Sequence, residues 1–182
     1  MEEDYEIIRT ANADYRAADV KLYQEKGVLG IQYALHGKLE AQMMVDLPGE
    51  FSVHNSLAAV AVADQMHVAV TDIQTILKEV KVRGRVEMIP ISDAFTLMID
   101  YAHNAMALES LLTALRAYHP KRLVTLFGCG GNRSRDRRFE MGEVSGKMAD
   151  FTIITSDNPR DEEPLAIITD IETGMKKTDG IY

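Results

Sequence analysis

The chain has 182 residues, of which 46% are hydrophobic, and it carries a formal net charge of -8 at pH 7. This length predicts one or two domains, and the acidic balance argues against general nucleic-acid binding, because no basic excess neutralises phosphates. No apolar run in the sequence is long enough to span a bilayer, so we expect no membrane partner. The sequence has a single cysteine, Cys129, so we expect a cytoplasmic protein without internal disulfides.

The first half of the chain is expected to form strands followed by two helices. Apolar runs separated by turn residues predict four strands, at Tyr5–Thr10, Ala18–Tyr23, Val28–Leu35 and Leu39–Leu47. Helical spacing predicts a first helix over Val53–Met66. The second helix follows Thr71-Asp-Ile-Gln74, which has the form of a capping box. Its expected core stripe is Ile73, Ile76, Leu77 and Val80.

From Val86 onward, the pattern changes to an alternation of strands and helices. Strands are expected at three apolar runs, Phe95–Asp100, Leu123–Phe127 and Phe151–Thr155. Amphipathic stretches follow each run, and the last helix is expected to begin at Pro164. The alternation predicts an α/β fold with parallel strands joined by crossover helices, and the change of pattern predicts a domain boundary near residues 88–92.

Three polar segments follow these three predicted strands. They are Asp100-Tyr-Ala-His103, Gly128–Arg138 and Ser156-Asp-Asn-Pro-Arg160. Ligands of open parallel sheets bind beyond the carboxyl ends of the strands, so the common position of the segments predicts one shared polar cleft. The middle segment has three glycines within four residues and four arginines within six, which fits an anion site or a solvated arginine-rich helix start.

Each candidate residue also has a structural interpretation. Asp100 and His103 could form an acid–base pair, or Asp100 could cap the following helix. The amide of Asn158 and the guanidinium of Arg160 could bind a carboxylate, or the segment could be an ordinary Asn-Pro turn. Cys129 could be a thiol activated by neighbouring arginines, although a small buried residue at a strand end is favoured. The histidines show no metal-ligand spacing.

Taken in order, these motifs resemble the Mur ligase family. The similar stretches are Leu47–Ala59, Val82–Glu87, Asp100–His103, Phe127-Gly-Cys-Gly-Gly-Asn-Arg133 and Thr155-Ser-Asp-Asn-Pro-Arg160. The resemblance runs over essentially the whole chain. It implies that residues 1–88 are the last part of a central ATPase domain. Residues 89–182 would be most of a Rossmann-like carboxyl-terminal domain with a mainly parallel sheet, truncated at its end.

The resemblance implies an ATP- and Mg²⁺-dependent ligase of peptidoglycan biosynthesis. Such enzymes phosphorylate the D-glutamate carboxylate of UDP-N-acetylmuramoyl-L-alanyl-D-glutamate, and the amino group of the incoming amino acid then displaces phosphate. The intact Asp157-Asn-Pro-Arg160 motif goes with meso-diaminopimelate, whose distal carboxylate needs the arginine. By the same resemblance, the ATP-binding residues would be Asn55, Arg85, Asp100 and His103, and the amino-acid-binding residues would be Arg133, Asp157, Asn158 and Arg160.

The chain also departs from the family pattern. Ser52 stands where asparagine is common, Asn132 where aspartate is usual and Phe139 where proline is expected. The family's P-loop, UDP-sugar domain and magnesium-binding lysine would lie upstream, so we expect no ligase activity from this chain alone and assign it no metal ligand. The alternatives are a lysine-adding, other Mur or folylpolyglutamate-type ligase, and a non-catalytic binding module. Exposed apolar faces could also favour self-association.

Overall fold

Two hydrophobic cores organise the chain, one in each half. The computed structural model describes residues 13–25, 27–92 and 94–182, and its contacts divide the chain into a first unit, residues 1–101, and a second unit, residues 102–182. The domain boundary predicted near residues 88–92 stays a prediction. In the described ranges, no helix combines the length and the apolar character that crossing a membrane requires.

The described part of the first unit begins with an antiparallel sheet of three strands. These are β1 (Tyr15–Glu25), β2 (Val28–Gly37) and β3 (Ala41–Val45), with β2 in the centre. They confirm three of the four predicted strands, while Tyr5–Thr10 lies outside the described residues. Gly27, which precedes β2, has a φ of 82°, and Gly37, at its end, has a φ of 120°. Glycine suits both positions, since it adopts positive φ without a steric penalty.

Two helices cover this sheet, α1 (Glu50–Gln65) and α2 (Val70–Glu79). The predicted core stripe of α2 is only partly correct, because Ile73 and Leu77 are buried whereas Ile76 is 62% exposed. Helix α2 packs against β3, and the narrow seam of Ile73 and Leu77 is sufficient for that contact. The capping-box prediction is wrong: no side chain caps α2, and the Gln74 amide donates instead to the Gln42 carbonyl oxygen at 2.8 Å.

The first unit ends in a small antiparallel ribbon of β4 (Glu87–Ile89) and β5 (Leu97–Ile99). The prediction for Phe95–Asp100 is therefore wrong in two respects, since β5 is shorter and its partner β4 runs antiparallel to it. Strands this close in sequence can pair antiparallel through a short connection, whereas a parallel pair needs a crossover of a dozen or more residues.

The second unit has the predicted alternation of helices and strands. Its elements are α3 (Ala105–Arg116), β6 (Val124–Phe127), α4 (Asp136–Met148), β7 (Phe151–Ile154) and α5 (Pro164–Met175). Strands β6 and β7 pair in parallel, which confirms the α/β prediction. The core joins the three helices to the start and end of β6 through Leu108, Leu112, Leu123, Cys129, Met141, Ile167 and Ile171.

Strand β6 confirms the prediction at Leu123–Phe127, but its residues alternate between a buried and an exposed environment. Thr125 is buried with Thr152 of β7 and Ser145 of α4, and the Ser145 hydroxyl lies 2.6 Å from that of Thr125 and 2.8 Å from that of Thr152. Leu126, on the opposite face, is 66% exposed. The apolar run places hydrophobic residues on both faces of β6, but only one face of the strand is buried in this unit.

Helices α4 and α5 approach each other closely through two glycines. A Cβ atom on Gly142 would collide with the Ile171 carbonyl oxygen, and one on Gly174 would collide with the Phe139 carbonyl oxygen. Only glycine permits backbones to come this close. The close packing brings Arg138 of α4 to within 3.0 Å of Asp170 of α5, from Nη1 to Oδ2.

Candidate functional site

In the first unit, a tight turn and the end of β5 bring two of the predicted ATP-binding residues to one corner. Val82 and Arg85 form an isolated β-bridge, and the exposed Arg85 guanidinium lies 4.5 Å from the centre of the Tyr101 ring. Asp100 Oδ2 accepts a hydrogen bond from the backbone N–H of Val86 at 2.8 Å. The Arg85 guanidinium and the Asp100 carboxylate therefore lie at the same corner, since each contacts the residue next to the other in sequence. Asn55 lies exposed on α1.

The helix-capping interpretation of Asp100 is wrong. Helix α3 is capped by Asn104, whose Oδ1 accepts a hydrogen bond from the Ala107 N–H at 2.8 Å. Asp100 binds the turn that contains Arg85 instead, so its carboxylate belongs with the candidate nucleotide residues of the first unit. His103 is exposed and lies one residue before the cap, in the second unit. Its placement in a shared site with Asp100 stays a prediction.

In the second unit, the glycine turn after β6 contacts the loop after β7. The Gly131 N–H donates to the Asn158 carbonyl oxygen at 2.8 Å. A Cβ atom on Gly131 would collide with the Pro159 carbonyl oxygen, and one on Gly128 would lie 2.8 Å from the Asp157 nitrogen. Glycine is needed here because the two loops touch through their backbones. The glycines after β6 therefore allow the two polar segments to lie in contact.

Arg160 forms a second contact between the same two loops. Its guanidinium donates a hydrogen bond to the Gly131 carbonyl oxygen, and its backbone has a φ of 50°. The side chains of Arg133, Asp157 and Asn158 are exposed around this contact. The structure thus places the four predicted amino-acid-binding residues on two adjoining loops at the carboxyl ends of parallel strands. Their roles stay predictions.

The arginines that follow the glycine turn differ from one another. The prediction of a solvated cluster is wrong for Arg138, which is 1% exposed and binds Asp170 and Glu162. Arg135 is largely exposed, but its Nη2 donates to Asp170 Oδ1 at 2.6 Å. Hydrogen bonding to Arg135, together with Arg138, lowers the pKa of Asp170, and hydrogen bonding to Arg138 lowers the pKa of Glu162.

Sequence reasoning missed the importance of Arg138 and Asp170, although helical spacing carried a signal. Arg138 precedes the buried Met141 by three residues on α4, and Asp170 lies three residues after the buried Ile167 on α5. Charged residues at core positions of two neighbouring helices are seldom buried unless they are paired. The spacing therefore pointed to an ion pair between the helices. Glu162 lies in a loop and had no such signal.

Cys129 is a packing residue. It is 5% exposed, and burial raises the pKa of its thiol to about 11. A thiol with so high a pKa is protonated at neutral pH and is a poor nucleophile. The favoured interpretation of Cys129 as a small buried residue is therefore confirmed, and the alternative of an activated thiol is not, because desolvation outweighs the nearby arginines. Among the residues described, no group of three His, Cys, Asp or Glu side chains is arranged to hold a metal ion.

The fold and these loops define an α/β protein with polar segments at the carboxyl ends of parallel strands, an arrangement typical of ligand-binding α/β domains. Residues 84–181 match the family described as Mur ligase, glutamate ligase domain. The chain therefore belongs to the Mur ligase family.

Its relatives include two bacterial enzymes named UDP-N-acetylmuramoyl-L-alanyl-D-glutamate--2,6-diaminopimelate ligase. The chain is 40% identical over 172 residues to that of Alkaliphilus oremlandii, covering 93% of this chain and 34% of the relative. It is 43% identical over 141 residues to that of Caldanaerobacter subterraneus, covering 78% and 29%. A solved structure of a ligase of the same name is 30% identical, with a TM-score of 0.62, covering 94% and 35%. The chain thus spans about a third of the length of these relatives.

Proposed function

We propose that this chain is the carboxyl-terminal part of a cytoplasmic, ATP-dependent ligase of peptidoglycan biosynthesis. The ligase would join meso-diaminopimelate to UDP-N-acetylmuramoyl-L-alanyl-D-glutamate. In this reaction the terminal phosphoryl group of ATP passes to the D-glutamate carboxylate. An amino group of meso-diaminopimelate then attacks the acyl phosphate, so that an amide bond forms and phosphate leaves. The support is family membership and the similarity to diaminopimelate ligases over most of this chain.

The amino-acid site is proposed at the joined loops of the second unit. The main support is the contact that the glycine turn makes with Asn158 and Arg160. It places the guanidinium groups of Arg133 and Arg160 on adjoining loops, and a dicarboxylic amino acid offers a carboxylate at each end. Arginine suits this task because its planar fork can bind both oxygens of a carboxylate. Asn158 would add an amide, and Asp157 a charge that attracts an ammonium group.

For the nucleotide, the proposal assigns Arg85 and Asp100 complementary roles. An exposed guanidinium fits a phosphate, and a carboxylate held by the Val86 N–H fits a ribose hydroxyl. Asn55 and His103 are proposed as further contacts. The described residues do not fit a magnesium site by themselves, because they contain no suitable group of three acidic, histidine or cysteine ligands. Mg²⁺ would therefore need ligands from ATP or from other parts of the ligase.

The amino-acid site is tested by titrating the isotope-labelled chain with meso-diaminopimelate and following its backbone amides by NMR. We expect saturable shifts in the glycine turn and at Asn158 and Arg160, because the ligand would contact both loops. Amides of the exposed Val62 and Met66 region of α1 serve as an internal control and should not move. Saturable shifts confined to other parts of the chain, or none at all, would refute this location for the site.

A further inference from the structure

An ion pair between the buried Arg138 and the partly exposed Glu162 connects the core of the second unit to the glycine turn. Arg138 Nη2 donates to Glu162 Oε1 at 2.7 Å, and the same carboxylate oxygen accepts from the Asn132 backbone N–H at 2.5 Å. Asn132 immediately precedes Arg133, one of the residues proposed to hold the amino acid. Arg138 is in turn held by Asp170 of α5. One chain of hydrogen bonds therefore runs from the α4–α5 contact to the backbone of the proposed site.

The glycine turn needs such a support at Asn132. This residue has a φ of 54°, in the left-handed region, which is unfavourable for most residues with a side chain and which asparagine adopts when its short side chain makes local hydrogen bonds. Its N–H is bound by Glu162, and its Nδ2 donates to Asp161 Oδ2 at 2.8 Å. Both acceptors belong to the loop that also carries Arg160. Asn132 is thus fixed to that loop through its backbone and through its side chain.

Stability alone is a weak reason for this arrangement. Burying an arginine costs several kcal/mol in desolvation, and apolar residues of similar size often replace buried ion pairs without loss of stability. Within the described part of the chain, Arg138 Nε is buried without a hydrogen-bond partner, so the pairing of this arginine is incomplete. The other end of the pair, Glu162, is 32% exposed and faces the loop rather than the core. Geometry at the turn accounts better for the pair than core stability does.

We propose that Arg138 and Glu162 are positioning residues for the amino-acid site. They hold Asn132, and through it Arg133, at a fixed place relative to Asn158 and Arg160. The pair itself need not touch the ligand. This inference rests on the amino-acid site proposed above, and it adds two residues that set how the two carboxylate-binding loops are aligned. Asn132 contributes through its backbone N–H, which Glu162 binds, and through its side-chain amide, which Asp161 binds.

The test compares Glu162→Ala with the control Glu163→Ala in the labelled 182-residue chain. Glu163 is the exposed neighbour of Glu162, so both variants lose one negative charge from the same loop. Glu162→Ala should move the Asn132 amide resonance upfield, because the N–H loses a short bond to a carboxylate. Its Kd for meso-diaminopimelate should rise by about 10-fold or more, since small displacements of binding groups are costly. Glu163→Ala should change neither quantity.

A second variant, Glu162→Gln, keeps an oxygen that can accept from Asn132 and removes only the charge. We expect it to recover part of the affinity lost in Glu162→Ala, which a simple loss of stability would not explain. If both Glu162 variants keep the wild-type Kd and the wild-type Asn132 resonance, the positioning role is overturned. If the wild-type chain itself binds no meso-diaminopimelate, the proposed site fails, and the Asn132 resonance alone still decides whether Glu162 fixes the turn.

Discussion

Replacing Asp170 by alanine should lower the free energy of unfolding of the second unit by about 3 kcal/mol. The change leaves Arg138, which is 1% exposed, without one of its two carboxylate partners. Removing one partner of a buried ion pair typically costs about 3–5 kcal/mol, because the remaining charge is desolvated and uncompensated. The lower end applies because Glu162 still binds Arg138. Urea unfolding followed at amides of the second unit measures the change.

Glu172→Ala is the matched control for this experiment. Glu172 lies on the same helix as Asp170 and pairs with Lys176 at 3.6 Å, but this pair is not buried, since the Glu172 side chain is 35% exposed and that of Lys176 is 64% exposed. Accessible pairs contribute little, so the control should change the free energy of unfolding by no more than about 0.5 kcal/mol. A loss below about 1 kcal/mol in Asp170→Ala would show that the network contributes little to folding.

Replacing Arg160 by alanine should weaken the use of meso-diaminopimelate by about 2–4 kcal/mol, which corresponds to a roughly 30- to 1000-fold fall in kcat/KM. The change would leave the distal carboxylate of the bound amino acid without its cationic partner. The measurement is ligation by an intact ligase that contains this chain. Arg160→Lys should recover little, because an ammonium group lacks the planar fork that matches a carboxylate.

L-Lysine provides the control for Arg160→Ala, since it is meso-diaminopimelate without the distal carboxylate. The variant should use lysine about as well as the wild type does, because no carboxylate is then stranded. Arg160 also donates to the Gly131 carbonyl oxygen, which gives the experiment a second informative outcome. Equal losses for both amino acids would assign Arg160 to supporting the glycine turn instead of binding the substrate.

Periodicity was sufficient to predict most elements of the second unit and the positions of its two polar loops. The apolar run of β6 ended at a glycine and that of β7 at a polar segment containing an Asn-Pro pair, so the strand ends were visible in the sequence. The partner of a strand is set by tertiary contacts rather than by its own residues, and β5 therefore paired antiparallel against expectation. The exposure of one face of β6 was also not predictable from the strand's own residues, because it depends on which elements pack against that face.

The residues that position the proposed amino-acid site, Arg138 and Glu162, were harder to predict than the residues of the site itself. Arg138 was not distinguished from Arg135 and Arg137, because a charge count does not separate a solvated guanidinium from one bound between two helices. Its burial depends on Gly142 and Gly174, which let α4 and α5 approach each other. Glu162 contacts both Arg138 and Asn132, which lie far from it in sequence. Such a link requires knowledge of the fold.

The two loops of the second unit should select meso-diaminopimelate over amino acids that lack its distal carboxylate. The most direct test is the ratio of kcat/KM values for meso-diaminopimelate and L-lysine, measured in an intact ligase that contains this chain. We expect a clear preference for meso-diaminopimelate, because the loop that carries Asn158 and Arg160 is held against the glycine turn. An equal or higher kcat/KM for lysine would contradict it.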